Sequence, residues 1–115
     1  MLDRVRAASK TRTKAITVEE VSFTIRTLDA TETQAFFDLK SSTPTPSPLK
    51  VCTKLIGLGL ANEDGTRALT DDQADAELTK LPYLTLSGLF EAVLEFNKLD
   101  KASQEARQKK SSTAR

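Results

Sequence analysis

The first regular pattern in the chain is an alternation of apolar and polar residues over 15–26. The apolar positions are β-branched or aromatic, and they are Ile16, Val18, Val21, Phe23 and Ile25. Alternation with a period of two predicts strands with one buried face. Glu19-Glu20 lies where a two-residue turn would fold the segment into a hairpin. Because such turns favour Gly or Asn, a single bent strand is the alternative prediction.

The spacing of apolar residues becomes helical after Leu28. Asp29 has the short side-chain oxygen of an N-cap, and Glu32 suits the positive end of the helix dipole. A helix is predicted over 31–39, and its apolar side is formed by Phe36, Phe37 and Leu39. The Ser/Thr/Pro segment 41–48 contains three prolines, which lack a backbone donor, so it is predicted to be an extended, exposed loop within one domain.

A second, more apolar helix is predicted to begin at Pro48, because proline suits the first helical position. Its apolar positions continue to about Ala61. Gly57 and Gly59 each lower helix propensity by about 1 kcal/mol relative to alanine. Their presence indicates that another element approaches closely, and the sequence Asn-Glu-Asp-Gly at 62–65 predicts a turn immediately afterwards.

Two further helices are predicted in the second half of the chain. Thr70 or Asp71 caps a short acidic helix over 71–80, which Leu81-Pro82 ends. The last predicted helix runs from about Thr85 to Asn97 and has a broad apolar stripe. This stripe is wide enough to face both the core and a partner, and it comprises Leu86, Leu89, Phe90, Val93, Leu94 and Phe96.

These elements predict a mainly α-helical α+β fold, with about four helices and a short N-terminal β-strand or hairpin. A length of 115 residues suffices for one domain and is short for two. The single globular domain is predicted to span 15–99. A basic arm at 1–14 precedes it and a basic, mobile tail at 100–115 follows it, because both ends have few residues to bury.

Charge is distributed unevenly along the chain, although the net charge is only +1. Residues 1–14 include five basic and one acidic residue, and residues 100–115 include five basic and two acidic residues. The segment between them has seven basic and thirteen acidic residues. The sequence therefore predicts an acidic domain with basic ends, and the total charge describes neither part of the surface.

The composition excludes several kinds of catalytic and metal-binding site. The chain has no His, and Cys52 is its only cysteine. Without His there is no Ser-His-Asp or Cys-His pair and no His/Cys zinc shell. We therefore expect no catalytic residues, no cofactor and no metal. Cys52 lies among apolar residues and is interpreted as a small buried side chain rather than a nucleophile.

Three shorter patterns match known sites only in part. The acidic segment 60–71 has some of the spacing of a calcium loop, but Leu60 supplies no oxygen at the first ligand position. The segment 57–59 lacks the third glycine of a dinucleotide-binding loop. Glu91 and Glu95 lie one helical turn apart, which is the spacing of a catalytic carboxylate pair on a helix, but they fit the solvated edge of an apolar helix. Each pattern is interpreted as structural.

The sequence also bears on location. The N-terminal basic residues are not followed by an apolar run of about 7 to 15 residues, and no segment approaches the roughly 18 apolar residues of a membrane span. A single cysteine fits a reducing compartment. We therefore expect a cytoplasmic protein with no membrane contact.

The order of elements and three short motifs resemble the tail assembly chaperone family of long-tailed bacteriophages. Residues 60–65 read L-x-x-x-D-G, Leu81-Pro82 closes the acidic helix, and residues 89–97 read L-x-x-x-V-L-x-x-N. The resemblance covers about residues 15–99.

The resemblance implies a noncatalytic function in the host cytoplasm. Such chaperones bind the long helical tape measure protein, help the tail tube protein polymerise around it, and leave before the tail is complete. A longer form made by ribosomal frameshifting is common in the family, and contact with the tail tube protein is expected through it. Because many copies are needed to line the client, a homo-oligomer is expected. The expected client groove comprises Leu86, Leu89, Phe90, Val93 and Phe96.

Two other interpretations remain at this point. One is a small nucleic-acid-binding or regulatory protein that uses its basic ends, although these ends lack interleaved aromatic residues for stacking on bases. The other is a structural tail component that stays in the virion. An enzyme is the least favoured interpretation, since nucleophile, base and metal ligands are missing.

Overall fold

The computed structural model describes residues 1–8 and 10–100 and has an α+β architecture. Five helices and a two-stranded antiparallel sheet form one compact domain within these residues, which confirms the predicted α+β class with one helix more than the four expected. In chain order the elements are α1 (Leu2–Ala8), β1 (Thr13–Val18), β2 (Val21–Arg26), α2 (Ala30–Lys40), α3 (Pro48–Gly59), α4 (Asp71–Leu78) and α5 (Tyr83–Phe96).

The two strands form a hairpin with a two-residue turn. Val18 pairs with Val21 across the turn, and the register continues to Thr13 opposite Arg26. Both turn residues have positive φ, 48° for Glu19 and 68° for Glu20. Neither is the Gly or Asn that such a turn favours, yet the chain forms the hairpin and not the single bent strand. The apolar face that the hairpin places on α5 compensates for the unfavourable turn.

Capping boxes set where two of the helices begin. The Asp29 side chain accepts a hydrogen bond from Glu32 N at 2.8 Å, and Glu32 Oε1 accepts one from Asp29 N at 3.1 Å, which is a capping box. Thr70 and Gln73 form the same arrangement at the start of α4. Each box satisfies backbone donors that a helix start leaves without an intrahelical partner, so these two starts follow from local sequence.

The helix α3 lies at the centre of the domain and packs against α2, α4 and α5. A methyl group at Gly59 would lie 2.6 Å from Val93 Cγ1, so the predicted close approach is between α3 and α5. The core contains eleven buried apolar residues from α2 to α5, strand β2 and the residue after α3. They are Ile25, Phe36, Leu55, Ile56, Leu58, Leu60, Ala74, Leu78, Leu86, Leu89 and Val93.

The outer edge of β2 is joined to the segment that follows α3. Leu60 forms a bridge with Ile25, and Ala61 N donates to Thr24 O at 2.9 Å. The side chain of Arg26 is buried beside this junction, where its Nε donates to Leu58 O at 2.9 Å and its guanidinium pairs with Glu32. The hairpin is thus tied to both α2 and α3.

Several boundaries differ from those read off the sequence. The basic arm contains the helix α1, and β1 begins at Thr13, two residues earlier than the predicted start of the domain. The last helix begins at Tyr83 rather than Thr85. The Ser/Thr/Pro segment forms an exposed connection between α2 and α3, with Pro46 partly covered. Apart from Asp100, the predicted tail at 100–115 lies outside the described residues.

Candidate functional site

The apolar stripe of α5 is mostly core. Leu86, Leu89 and Val93 have exposures of 7%, 0% and 0%. The prediction that these three residues line an accessible partner groove is therefore wrong, because the hairpin and α3 cover them. Phe90 and Phe96 are half-buried and pack against the same core. They do not form a groove with the other three.

The uncovered apolar surface lies instead where the start of α5 meets the hairpin turn. Tyr83 is 79% exposed, Leu84 64% and Val21 51%. They are three of the four exposed large apolar side chains that the described residues have outside 1–8, and Leu49 is the fourth. We call this surface the Tyr83 patch, and it is formed by Val21, Phe23, Leu81, Pro82, Tyr83 and Leu84.

The local sequence explains why this surface is exposed. Pro82 is the N-cap of α5, and Tyr83 and Leu84 form its first turn, ahead of the first core residues of the helix. A methyl group at Gly88 would lie 2.6 Å from Val18 Cγ1, so the hairpin approaches α5 closely one turn further along. This contact holds the turn end of the hairpin beside Tyr83 and Leu84 without covering them.

The rim of the patch is acidic at the hairpin turn. Glu19 lines the patch, Glu20 follows it in the turn, and both are exposed. On the α4 side, Lys80 is exposed and lies 3.8 Å from Glu77, so its charge is partly matched within the helix end. An apolar centre with acidic residues on one side favours a partner that is apolar and basic.

A second uncovered apolar surface lies on α1. Met1 is 90% exposed, Leu2 59% and Val5 56%, and every residue of α1 is exposed. Leu2 and Val5 are three residues apart, so they lie on one face of the helix. Arg4 and Arg6 give the helix a net positive charge. The predicted arm therefore has an apolar face as well as basic residues.

The acidic segment 60–71 uses its carboxylates in local structure. Asp64 accepts hydrogen bonds from Thr66 Oγ1 at 2.6 Å and Thr66 N at 2.9 Å, which lower its pKa. Asp71 accepts from Arg67 at 2.6 Å and from Lys54, and the pKa of this carboxyl is also lowered. Within the described part of the chain, no three His, Cys, Asp or Glu side chains are grouped to hold a metal ion.

The other candidate residues have environments that match structural roles. Cys52 is half-buried and packs against the core, and burial raises the pKa of its thiol. A raised pKa lowers the thiolate fraction and with it the nucleophilicity. Glu91 and Glu95 lie on the exposed side of α5. Their placement agrees with a solvated helix edge.

Sequence reasoning missed the Tyr83 patch. The signal was present, because Tyr83-Leu84 follows Leu81-Pro82 directly and lies outside the helical stripe. Recognising it required knowing that the hairpin turn folds back against the start of α5.

None of the described helices has the length and apolar character needed to cross a membrane. Comparison of the chain with protein-family models, curated protein sequences and solved structures finds no match.

Proposed function

We propose that this chain is a noncatalytic tail assembly chaperone of a long-tailed bacteriophage. In this proposal it binds helical segments of the tape measure protein in the host cytoplasm and promotes assembly of the tail tube around them. It then leaves before the virion is complete. The proposal rests on the resemblance of residues 15–99 to this family and on one structural observation, the uncovered apolar surface of the Tyr83 patch.

The Tyr83 patch has the chemistry of a protein-binding surface. Tyrosine is enriched among residues that dominate binding energy, and here Tyr83 stands beside Leu84 and Val21. Contiguous exposed apolar residues on a small domain mark interaction sites. A client helix with an apolar face at positions i, i+3, i+4 and i+7 would bury its side chains against such a surface.

The motif residues that carry the resemblance have structural roles. Gly65 adopts a φ of +88° in the turn after α3, a backbone conformation that glycine accepts without strain. Asn97 binds the backbone between β2 and α2. These motifs therefore specify the fold, and the binding activity is assigned to the exposed residues around Tyr83.

The remaining partners follow from the same proposal. Contact with the tail tube protein is assigned to a longer, frameshifted form. A long client requires many copies of the chaperone, so the protein acts as a homo-oligomer on it. A structural tail component would instead persist in purified virions, where mass spectrometry would detect it.

A client-solubility assay tests the proposal. Segments of the tape measure protein that aggregate alone are expected to stay soluble with equimolar chaperone. Tyr83→Asp/Leu84→Asp removes this effect, whereas Leu49→Asp keeps it, because Leu49 is a 45% exposed leucine that does not line the patch. Equal protection by both variants would show that the patch is not the client site. Tight, salt-sensitive binding to DNA or RNA with no client binding would favour the nucleic-acid alternative.

A further inference from the structure

The helix α1 exposes apolar side chains that no described part of the same chain covers. Its arm face, defined by Met1, Leu2 and Val5, is more than half exposed at each residue. Arg4 and Arg6 flank this face, and Lys10 follows the helix. A short helix whose apolar face stays in water is only marginally stable alone, so packing against a partner would stabilise it.

The Tyr83 patch is complementary to the arm face in both polarity and charge. Its apolar centre is formed by Val21, Tyr83 and Leu84, and Glu19 and Glu20 flank it at the hairpin turn. Basic residues beside one apolar surface and acidic residues beside the other favour association over repulsion.

The two surfaces lie at opposite ends of the hairpin. At the open end, Thr27 N donates to Arg12 O at 2.8 Å, and Ala7 and Ala8 line a cleft with Leu28. The Tyr83 patch is at the turn end. Six residues of strand separate the two ends by about 20 Å. An arm that lies at the open end does not cover the patch of its own chain.

We propose that α1 of one copy of this chain binds the Tyr83 patch of the next copy. The two contact surfaces differ, so the interface is heterologous, and repetition extends it head to tail into a chain or ring. This inference goes beyond the proposed function, since it concerns the protein without a client. A seven-residue helix buries little area, so the association is weak and depends on concentration.

The inference also links self-association to client binding. The arm face presents an apolar, basic helix, which is the kind of segment that the patch is proposed to bind in a client. A client helix therefore competes with α1, and free chaperone covers its patch with its neighbour until a client displaces the arm.

Sedimentation velocity on the full chain over a broad concentration range tests the pairing. The average mass of the wild type is expected to rise with concentration and to fall again at high salt. The arm variant Leu2→Asp/Val5→Asp and the patch variant Tyr83→Asp/Leu84→Asp are expected to stay monomeric. Leu49→Asp, the matched exposed-leucine control, is expected to behave as the wild type. All five substituted positions are exposed, so circular dichroism and melting should match the wild type.

Mixing the arm variant with the patch variant is the most discriminating test of the pairing. The arm variant retains an intact patch and the patch variant retains an intact arm, so their mixture is expected to form a heterodimer and nothing larger. Wild type that is monomeric at all concentrations, association that survives either double substitution, or a mixture that does not pair would each overturn the proposal. Binding of tape measure segments by the monomeric arm variant is a separate readout, and its loss would count against the proposed function instead.

Discussion

Asn97, the residue after α5, binds the backbone that connects β2 to α2. Its Oδ1 accepts a hydrogen bond from Leu28 N at 2.7 Å, and its Nδ2 donates to Arg26 O at 3.2 Å. Leu28 precedes Asn97 by 69 positions, so one amide side chain joins the two halves of the domain. The amide supplies both a donor and an acceptor, which neither aspartate nor leucine can do at this position.

Removal of this amide is expected to destabilise the domain. Asn97→Ala leaves Leu28 N and Arg26 O without their partner, and we expect the free energy of unfolding to fall by about 2 to 3 kcal/mol. Urea denaturation followed by circular dichroism measures this difference. Gln34→Ala on the exposed side of α2 is the control, with an expected change below about 0.5 kcal/mol. Equal effects of the two substitutions would contradict the assigned role of Asn97.

The domain is expected to become more stable when the two residues of the hairpin turn are of types that favour positive φ. Glu19→Asn/Glu20→Gly replaces two residues at φ 48° and 68° with types that favour this conformation. We expect the free energy of unfolding to rise by about 1 kcal/mol. Glu91→Gly, which also removes an exposed acid but lies within α5, is expected to lower it by about 1 kcal/mol. A turn variant less stable than the wild type would rule out this turn conformation.

Substitutions at Gly59 and Val93 are expected to have non-additive effects on the free energy of unfolding, because the two residues are in contact. Gly59→Ala places a methyl group against Val93 Cγ1 and should cost about 1 to 3 kcal/mol. Val93→Ala alone creates a cavity and costs about as much. In the double variant the new methyl group occupies part of that cavity. Its loss of stability should therefore be smaller than the sum of the two single losses. Strict additivity in thermal or urea unfolding would show that the two residues are not in contact.

Asp71 is expected to contribute to the acid dependence of stability. The hydrogen bond from Arg67 and then the interaction with Lys54 lower its pKa in the folded protein. Its contribution is therefore present above the ordinary pKa of 3.8 and is lost as the pH falls through the lower folded value. The wild type should exceed Asp71→Asn at neutral pH by less than about 1 kcal/mol, because the carboxylate is 56% exposed. If the difference in unfolding free energy between the wild type and Asp71→Asn stayed constant from neutral to acid pH, it would contradict this role of Asp71.

The helix starts and the strands could be predicted from the sequence, because they depend on residues that are neighbours along the chain. Asp29 and Thr70 cap their own helices, and the alternation up to Ile25 predicts the strands. The exposed apolar surface around Tyr83 could not be predicted in this way. Which side of the α5 stripe faces the core depends on the hairpin packing against Gly88, a contact between residues distant in sequence. The role of Asn97 likewise becomes visible only when its partner at Leu28 is known.

The central claim, that the Tyr83 patch binds a helical client, is tested most directly by NMR titration of the isotope-labelled chain with a tape measure helix. To separate client binding from self-association, the titration uses the Leu2→Asp/Val5→Asp variant. We expect shift changes to centre on the amides of Val21, Tyr83 and Leu84 and to leave those around Leu49 unchanged. Shift changes that centre on any other face, or none at saturating client, would contradict the claim.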